Sequence, residues 1–362
     1  MSKVLKFSGV VPAGVILVFV FPPDLSTVYG AAIASAFLML GLVALRPVVT
    51  TRRSRRGALV LAGASRERAQ RLCDEFIKRS CRVRIVGRSE LAQLAAGTVR
   101  MDSVASIVLA DGAAVEASEE IAEALLHCKL RGVRVETAAA FLERQTGKVS
   151  LEDVSPKWFA LADGFCYSRA RLALKRAVDL LLAILLLFAA APVALAAAIA
   201  IRLESKGPAI FKQVRVGRGG RNFTLYKFRS MRENAEQDGP VWAQKNDHRV
   251  TRVGRFLRAT RIDELPQVIN VLRGDMSFVG PRPERPYFVD LLKSRVRYYD
   301  LRHCTKPGIT GWAQVMFPYG ASVEDAYQKL QYDLYYAKNL SLRLDLLILL
   351  KTVRVVITRQ GR

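Results

Sequence analysis

The sequence predicts an α/β membrane protein with an N-terminal transmembrane hairpin, a Rossmann-like α/β domain, and a mixed, mostly helical domain carrying a re-entrant membrane helix. Three observations predict it. The 362 residues are 51% hydrophobic yet 24% charged, the mixture expected when membrane-embedded and soluble segments share one chain. Apolar runs occupy residues 5–21, 29–45 and 178–201, and strand-like and helix-like patterns alternate between the last two. Lys and Arg number 56 against 32 Asp and Glu, and this net charge of +24 draws the chain toward nucleic acid, anionic lipid or nucleotides. The length allows two or three modules and argues against a small disulfide-stapled or disordered protein. Five scattered cysteines without a C-x-x-C pair, and only three His, point to a reducing cytoplasm and no structural zinc.

Residues 1–46 form the hairpin. Each apolar run is close to the shortest helix that crosses a bilayer, and Pro22 and Pro23 separate them. Lys3 and Lys6 precede the first run, while Arg46, Arg52, Arg53, Arg55 and Arg56 follow the second, so both ends belong in the cytoplasm. The alternative, a cleaved signal peptide, needs a small-residue site that PPDLSTVYG supplies poorly. Residues 47–57 are a basic cytoplasmic linker.

Residues 58–145 are the Rossmann-like domain. GALVLAGAS and CRVRIVG flank a helical stretch as strand, helix, strand, and SVASIVLADG and GVRVETAAAF extend the series around the crossover helix EASEEIAEALLHCKL. The turn at Gly63 lacks G-x-G-x-x-G, so no dinucleotide is assigned and a structural or regulatory role is expected. Residues 146–170 are a linker.

The run at 178–201 would reach about 36 Å as a straight helix, enough to span. Lys175 and Arg176 before it and Arg202 and Lys206 after it instead ask for both ends on the cytoplasmic side. Pro192 resolves the conflict by dividing the run into halves of roughly 20 Å that enter and leave one leaflet. A proline-kinked spanning helix is the alternative. Asp179 is expected near the surface, hydrated or paired with a basic neighbour.

Between Arg202 and Arg232 nine Lys or Arg accompany a single acid, Glu204, among glycines at 207, 217, 219 and 220. Such turns converge backbone N–H groups and cations on phosphates. No RNP1 pattern or paired Cys/His finger accompanies them, so nucleic acid is not expected as a partner. In Thr260-Arg261-Ile262-Asp263-Glu264-Leu265-Pro266-Gln267, Thr260 as N-cap with Asp263 three residues on approaches a capping box. A helix start there would hold a carboxylate ionised and attract phosphate, so spacing alone leaves a cap and a catalytic carboxylate both open.

The order Lys175-Arg176-x-x-Asp179, Lys206-Gly207-Pro208, Gln213-x-Arg215-x-Gly217, Lys227-Phe228-Arg229-Ser230-Met231, Asp263-Glu264-Leu265-Pro266-Gln267, Asn270, Gly274-Asp275-Met276-Ser277, Val279-Gly280-Pro281-Arg282-Pro283 and Pro307-Gly308-Ile309-Thr310-Gly311-Trp312 resembles the bacterial polyprenyl-phosphate sugar-1-phosphate transferases. These are the monotopic phosphoglycosyl transferases, and the resemblance covers residues 171–362. It implies that Asp263 is a nucleophile attacking the β-phosphorus of a UDP-sugar, with UMP leaving and undecaprenyl phosphate accepting the phosphosugar. It implies that Glu264 helps to hold Mg²⁺, that Lys227 and Arg258 contact phosphate, and that Arg282 contacts the nucleotide. The implied setting is the cytoplasmic face of the bacterial inner membrane, among membrane lipids, at the start of lipid-linked exopolysaccharide synthesis. A homodimer is compatible with the sequence. The alternative is a non-catalytic membrane scaffold whose α/β domain senses a nucleotide.

Three departures accompany the resemblance. Ala191, not Ser, precedes the membrane-bend residue Pro192. The N-terminal part has room for two spanning helices rather than four. Met316-Phe317-Pro318-Tyr319-Gly320 replaces the common Asn-Gly and is similar to exosortase-associated exopolysaccharide transferases. Residues 340–358 read as an amphipathic helix lying on the membrane or packed on the catalytic domain.

Overall fold

The computed structural model describes residues 57–61, 69–70, 73–74, 83–87, 93, 104–110, 119–152, 154–232, 247–317, 320 and 322–357. The expected hairpin of residues 1–46 and the linker up to residue 56 lie outside them.

Four strands, β1 (Gly57–Leu61), β2 (Val83–Val86), β3 (Val104–Leu109) and β4 (Arg134–Thr137), form a parallel sheet in the order β2-β1-β3-β4. Strand alternation sends Ile107 and Leu109 to one face, against Ile121, Leu125 and Cys128 of α1 (Glu119–Leu130). Val108 and Ala110 face the other way, against Phe141 and Leu142 of α2 (Ala138–Thr146). Helices on both faces make this a doubly wound α/β layer. GVRVETAAAF is not one strand. It ends at Thr137, whose hydroxyl accepts from Ala140 N at 3.3 Å and starts a helix through the alanines.

Residues 146–170, expected as a linker, are packed. Val149, Leu151 and Val154 are buried with Val289, Leu292, Leu330 and Leu334, and a short helix α3 (Pro156–Leu161) follows. The Gly147 carbonyl accepts from Trp312 Nε1 at 2.6 Å, and Glu143 bonds Lys338 Nζ at 2.6 Å and Asn339 Nδ2 at 3.0 Å. The α/β layer is thereby fastened to the C-terminal part of the chain.

One helix, α4 (Arg169–Glu204), contains the third apolar run. Ser168 caps it, and its 36 residues reach about 54 Å if straight. Helical backbone continues through Pro192 rather than dividing there; proline removes one hydrogen bond, and the turns on either side hold. Its first part is docked. Ala183 is fully buried, Arg176 donates to Val271 O and Leu272 O at 2.5 and 2.9 Å, and Lys175 bonds Asp345 at 2.8 Å. Asp179 is not near the surface: it is 5% exposed, forms no ion pair among the described residues, and its Oδ1 accepts from Ser277 Oγ and Phe278 N, both at 3.1 Å. The last turns are docked as well, through Ala197 and Ile201 on Phe228 and Leu257. Residues 184–196 include no buried residue, and Leu185, Phe188 and Leu195 are exposed.

Beyond α4 come an antiparallel hairpin of β5 (Ile210–Val216) and β6 (Asn222–Phe228), then α5 (Arg252–Thr260) and α6 (Gln267–Arg273). Strands β7 (Ser277–Val279) and β8 (Gly308–Thr310) pair in parallel around α7 (Pro286–Arg295). Helices α8 (Trp312–Met316), α9 (Val323–Lys338) and α10 (Leu342–Ile357) complete the fold. Helix α10 packs on its neighbours: Ile348 is fully buried, Asp345 accepts from Tyr336 OH at 2.8 Å, and Thr352 and Thr310 hydroxyls meet at 2.7 Å.

Candidate active site

The end of α4 and the start of α5 are joined by one side chain. Thr251 caps α5 by accepting from Gly254 N at 2.9 Å, and Glu204, in the last turn of α4, accepts from Arg252 N at 2.8 Å and Val253 N at 3.1 Å. A carboxylate on the first amides of a helix satisfies its unpaired donors and complements its dipole. Helix α5 also lies on the end of β6. A Cβ on Gly254 would stand 2.6 and 2.7 Å from Ser230 C and Cα. Gly254→Ala is therefore expected to destabilise the protein by about 1–3 kcal/mol, the usual range for overpacking. An unchanged thermal midpoint would contradict this packing.

Thr260 closes this helix instead of opening the next. Its hydroxyl donates to Phe256 O and Leu257 O, and Arg261 takes the left-handed conformation at φ 60°. The capping box expected at Thr260 and Asp263 does not form because Thr251 has already begun the helix. A non-glycine residue in this region is strained by an order of 1 kcal/mol and is held there by its surroundings. The turn Ile262–Glu264 follows as a single 3₁₀ turn, and Pro266 immediately precedes α6.

Asp263 stands on this turn. Its Oδ1 is buried and has no hydrogen-bond partner among the described residues. Leaving such an atom unpaired costs about 1–3 kcal/mol. Burial, reinforced by Glu264, pushes its carboxyl up to about 6 against the opposing pull of Arg258, Lys227 and Arg261. Glu264 is drawn elsewhere: its Oε1 lies 3.1 Å from Arg282 Nη2 and 3.5 Å from Arg261 Nη1.

Three cations expected in the site come from three different elements. Lys227 lies on β6, opposite Phe211 in the strand pairing, with Nζ 5.1 Å from that ring centre. Burial, with Arg215, Arg258 and Arg282 nearby, pulls its ammonium down to about 8. Arg258, on the last turn of α5, donates from Nε to Ser230 Oγ at 2.8 Å, and burial lowers its pKa. Arg282, in the Pro-Arg-Pro turn after β7, holds Glu264 and donates to Gln314 Oε1 at 3.2 Å. Proximity to Glu264 raises its pKa. The structure thus brings all five residues, Lys227, Arg258, Asp263, Glu264 and Arg282, into one electrostatic neighbourhood.

Other residues hold this neighbourhood in shape. Asn270 is fully buried and ties α6 to β6, accepting from Tyr226 N at 3.1 Å and donating to Thr224 O at 2.7 Å. Arg302 is buried, paired with Asp333 at 2.9 Å, and its Nη2 donates to the backbone oxygen of Arg282 at 2.9 Å. Arg215 reaches the same turn at Pro283 O, 2.9 Å away. Sequence reasoning missed Arg261, Arg302 and Gln314. For Arg261 the one signal was its place beside the acidic pair, and for Arg302, 20 residues from the backbone it supports, there was none.

Residues 170–359 match the family described as bacterial sugar transferase. A UDP-N-acetylgalactosamine-undecaprenyl-phosphate N-acetylgalactosaminephosphotransferase of Aeromonas hydrophila is 43% identical over 266 residues, 73% of this chain and 61% of that protein. A UDP-glucose:undecaprenyl-phosphate glucose-1-phosphate transferase of Caulobacter vibrioides is 48% identical over 188 residues, 51% of this chain and 70% of its own. A protein of the same description from Escherichia coli is 44% identical over 182 residues, 50% of this chain and 39% of that relative. The likeness therefore spans between 39% and 70% of these relatives, and the family match over residues 170–359 contains every residue of the site just described. The chain belongs to the bacterial sugar transferase family.

Proposed function

We propose that the protein transfers a sugar-1-phosphate from a UDP-sugar to undecaprenyl phosphate on the cytoplasmic face of the inner membrane, beginning a lipid-linked exopolysaccharide. The observation that carries the reading is Asp263, a carboxylate with an unpartnered oxygen, in a setting of cations on an otherwise apolar-anchored domain. Its Oδ1 attacks the β-phosphorus of the donor while the bond from that phosphorus to the bridging oxygen breaks, and UMP departs with the electron pair. An oxygen of undecaprenyl phosphate then attacks the same phosphorus, breaking the acyl phosphate and returning the carboxylate. Both nucleophiles are anionic at neutral pH, so alignment and charge neutralisation matter more than a general base. Lys227 and Arg258 neutralise the phosphates, and Arg282 holds the nucleotide end while keeping Glu264 in place.

Among the described residues no cluster of three His, Cys, Asp or Glu could hold a metal on protein groups alone. Mg²⁺ usually takes one or two carboxylates and completes its shell with substrate phosphates and water, and the Glu264 carboxylate, held beside Asp263 by Arg282 and Arg261, fits that donor set. When bound, it neutralises diphosphate charge.

The seating of α4 supports entry into a single leaflet. Both ends of the helix pack on one compact domain, and residues 184–196 between them include no buried residue. Cysteines placed at Arg169 and at Leu203 should both resist a membrane-impermeant thiol reagent in intact cells and label once the membrane is opened. External labelling at one end alone would make the helix spanning.

The test of the activity is UMP release by purified full-length protein given Mg²⁺, undecaprenyl phosphate and each of a panel of UDP-sugars. No release with any donor would favour the scaffold reading. The pH profile gives a second check. Because Lys227 titrates near 8 rather than near the ordinary 10.4, kcat/KM should fall as pH rises through about 8. The sign follows from loss of a phosphate-neutralising charge, and a profile flat to the ordinary lysine range would remove Lys227 from that role.

A further inference from the structure

A cavity of about 260 Å³ opens beside the first turns of α4 and contains none of the five site residues. It lies at the far end of α6 from Asp263, about 10 Å along that helix. Of its five charged lining residues, four are cations and one, Asp179, is an acid. Arg176 and Lys306 each come within 3.6 Å of where a Cβ on Gly274 would sit, so the two like charges face each other there. Arg218, on the turn between β5 and β6, lines the same cavity.

Ordinary structural roles explain only part of this. Arg176 caps the last carbonyls of α6, Lys175 is neutralised by Asp345, and Asp179 is engaged by Ser277 and Phe278. The side chains of Arg218 and Lys306 form no hydrogen bond or ion pair with any described residue. Burial and the neighbouring Arg176 and Arg218 hold the Lys306 ammonium below its ordinary pKa, against the opposing pull of Asp179 and Asp275. Thr305, 6% exposed, also lines the cavity, and its Oγ1 has no partner among the described residues. Two cationic side chains without a hydrogen-bond or ion-pair partner and an unsatisfied buried hydroxyl around one open cavity are the complement of a tetrahedral oxyanion.

We propose that this cavity is a second phosphate-binding site, distinct from the Asp263 site, in which Arg218, Lys306 and the Thr305 hydroxyl hold a phosphate group. The phosphate belongs either to an anionic phospholipid headgroup, which the adjoining apolar helix would bring to the cavity mouth, or to a free phosphate anion. The inference stands apart from catalysis at Asp263 and is tested without an activity assay.

Cys304 lines the same cavity and is exposed, so its alkylation reports occupancy. Full-length protein is treated with N-ethylmaleimide and the rate at Cys304 is followed by peptide mass spectrometry. One arm titrates inorganic phosphate in detergent, and the other compares bilayer discs of phosphatidylglycerol with discs of phosphatidylcholine. At ten times the half-saturating ligand concentration the rate should fall about tenfold. Protection by phosphatidylglycerol discs alone assigns a lipid headgroup, and protection by inorganic phosphate alone assigns a soluble anion. Arg218→Gln with Lys306→Gln should abolish protection, and the near-isosteric Thr305→Val should weaken it even if the double variant fails to fold. Equal alkylation rates in every arm, or undiminished protection in the variants, would overturn the site.

Discussion

Asp263→Asn is expected to abolish sugar-phosphate transfer, lowering turnover by a factor on the order of 10⁴ to 10⁶, the range found when an enzyme loses its nucleophile. The amide nitrogen and oxygen occupy the same space, yet neither presents an anionic oxygen to phosphorus. Protein incubated with donor alone should gain the mass of a glycosyl phosphate on the Asp263 peptide, and the variant should not. The fold should survive. The carboxyl titrates near 6 in the folded protein, above its ordinary 3.8, so its ionisation opposes folding as pH rises through that window. Removing the charge should raise stability at neutral pH, with the gain disappearing below about pH 4, where both states are protonated. A variant that transfers sugar phosphate at the wild-type rate would place the nucleophile elsewhere.

Asp333→Ala should have the largest effect on stability. Asp333 and Arg302 have side chains only 3% and 7% exposed, and Arg302 receives two contacts from that carboxylate, at 3.1 Å on Nε and 2.9 Å on Nη2. Deleting the acid leaves a guanidinium in a dry interior, a loss of about 3–5 kcal/mol. The exposed pair Lys293–Asp300, at 2.8 Å and with side chains 39% and 61% accessible, should cost less than about 1 kcal/mol when broken. Unfolding in detergent, followed for Asp333→Ala and Asp300→Ala side by side, separates the two. Replacing Arg302 by Met together with Asp333 by Leu should recover most of the stability, since an apolar pair of similar volume needs no solvation. That double variant should still transfer sugar phosphate poorly, because the carbonyl of Arg282 loses its anchor. Equal losses from the buried and exposed pairs would show that Arg302 is not buried as described.

Much of this was legible in the chain because it is local. Apolar length announced the helix around 178–201, and the charges at 202–232 announced a cationic surface. Motif order singled out the five residues that meet around Asp263. The error at Thr260 arose because a four-residue capping pattern carries no record of the helix that precedes it, and only the left-handed Arg261 shows where that helix stops. Asp179 and Lys175 were misjudged or passed over for a different reason. Their partners, Ser277 and Asp345, lie about a hundred or more residues away, and a charge inside an apolar run says only that some partner exists. Residues 146–170 looked like a linker because their apolar positions keep no sustained helical or strand period, although Val149, Leu151 and Val154 find a core supplied by later helices.

The junction at Glu204 makes α5 a strut. With its first amides clasped by the last turn of the apolar helix, α5 extends about 9 Å before delivering Arg258 and ends, after about 13 Å, just before the turn that carries Asp263. Asp263 is thereby held at a set distance from the end of the apolar helix, by a helix clasped at its first amides.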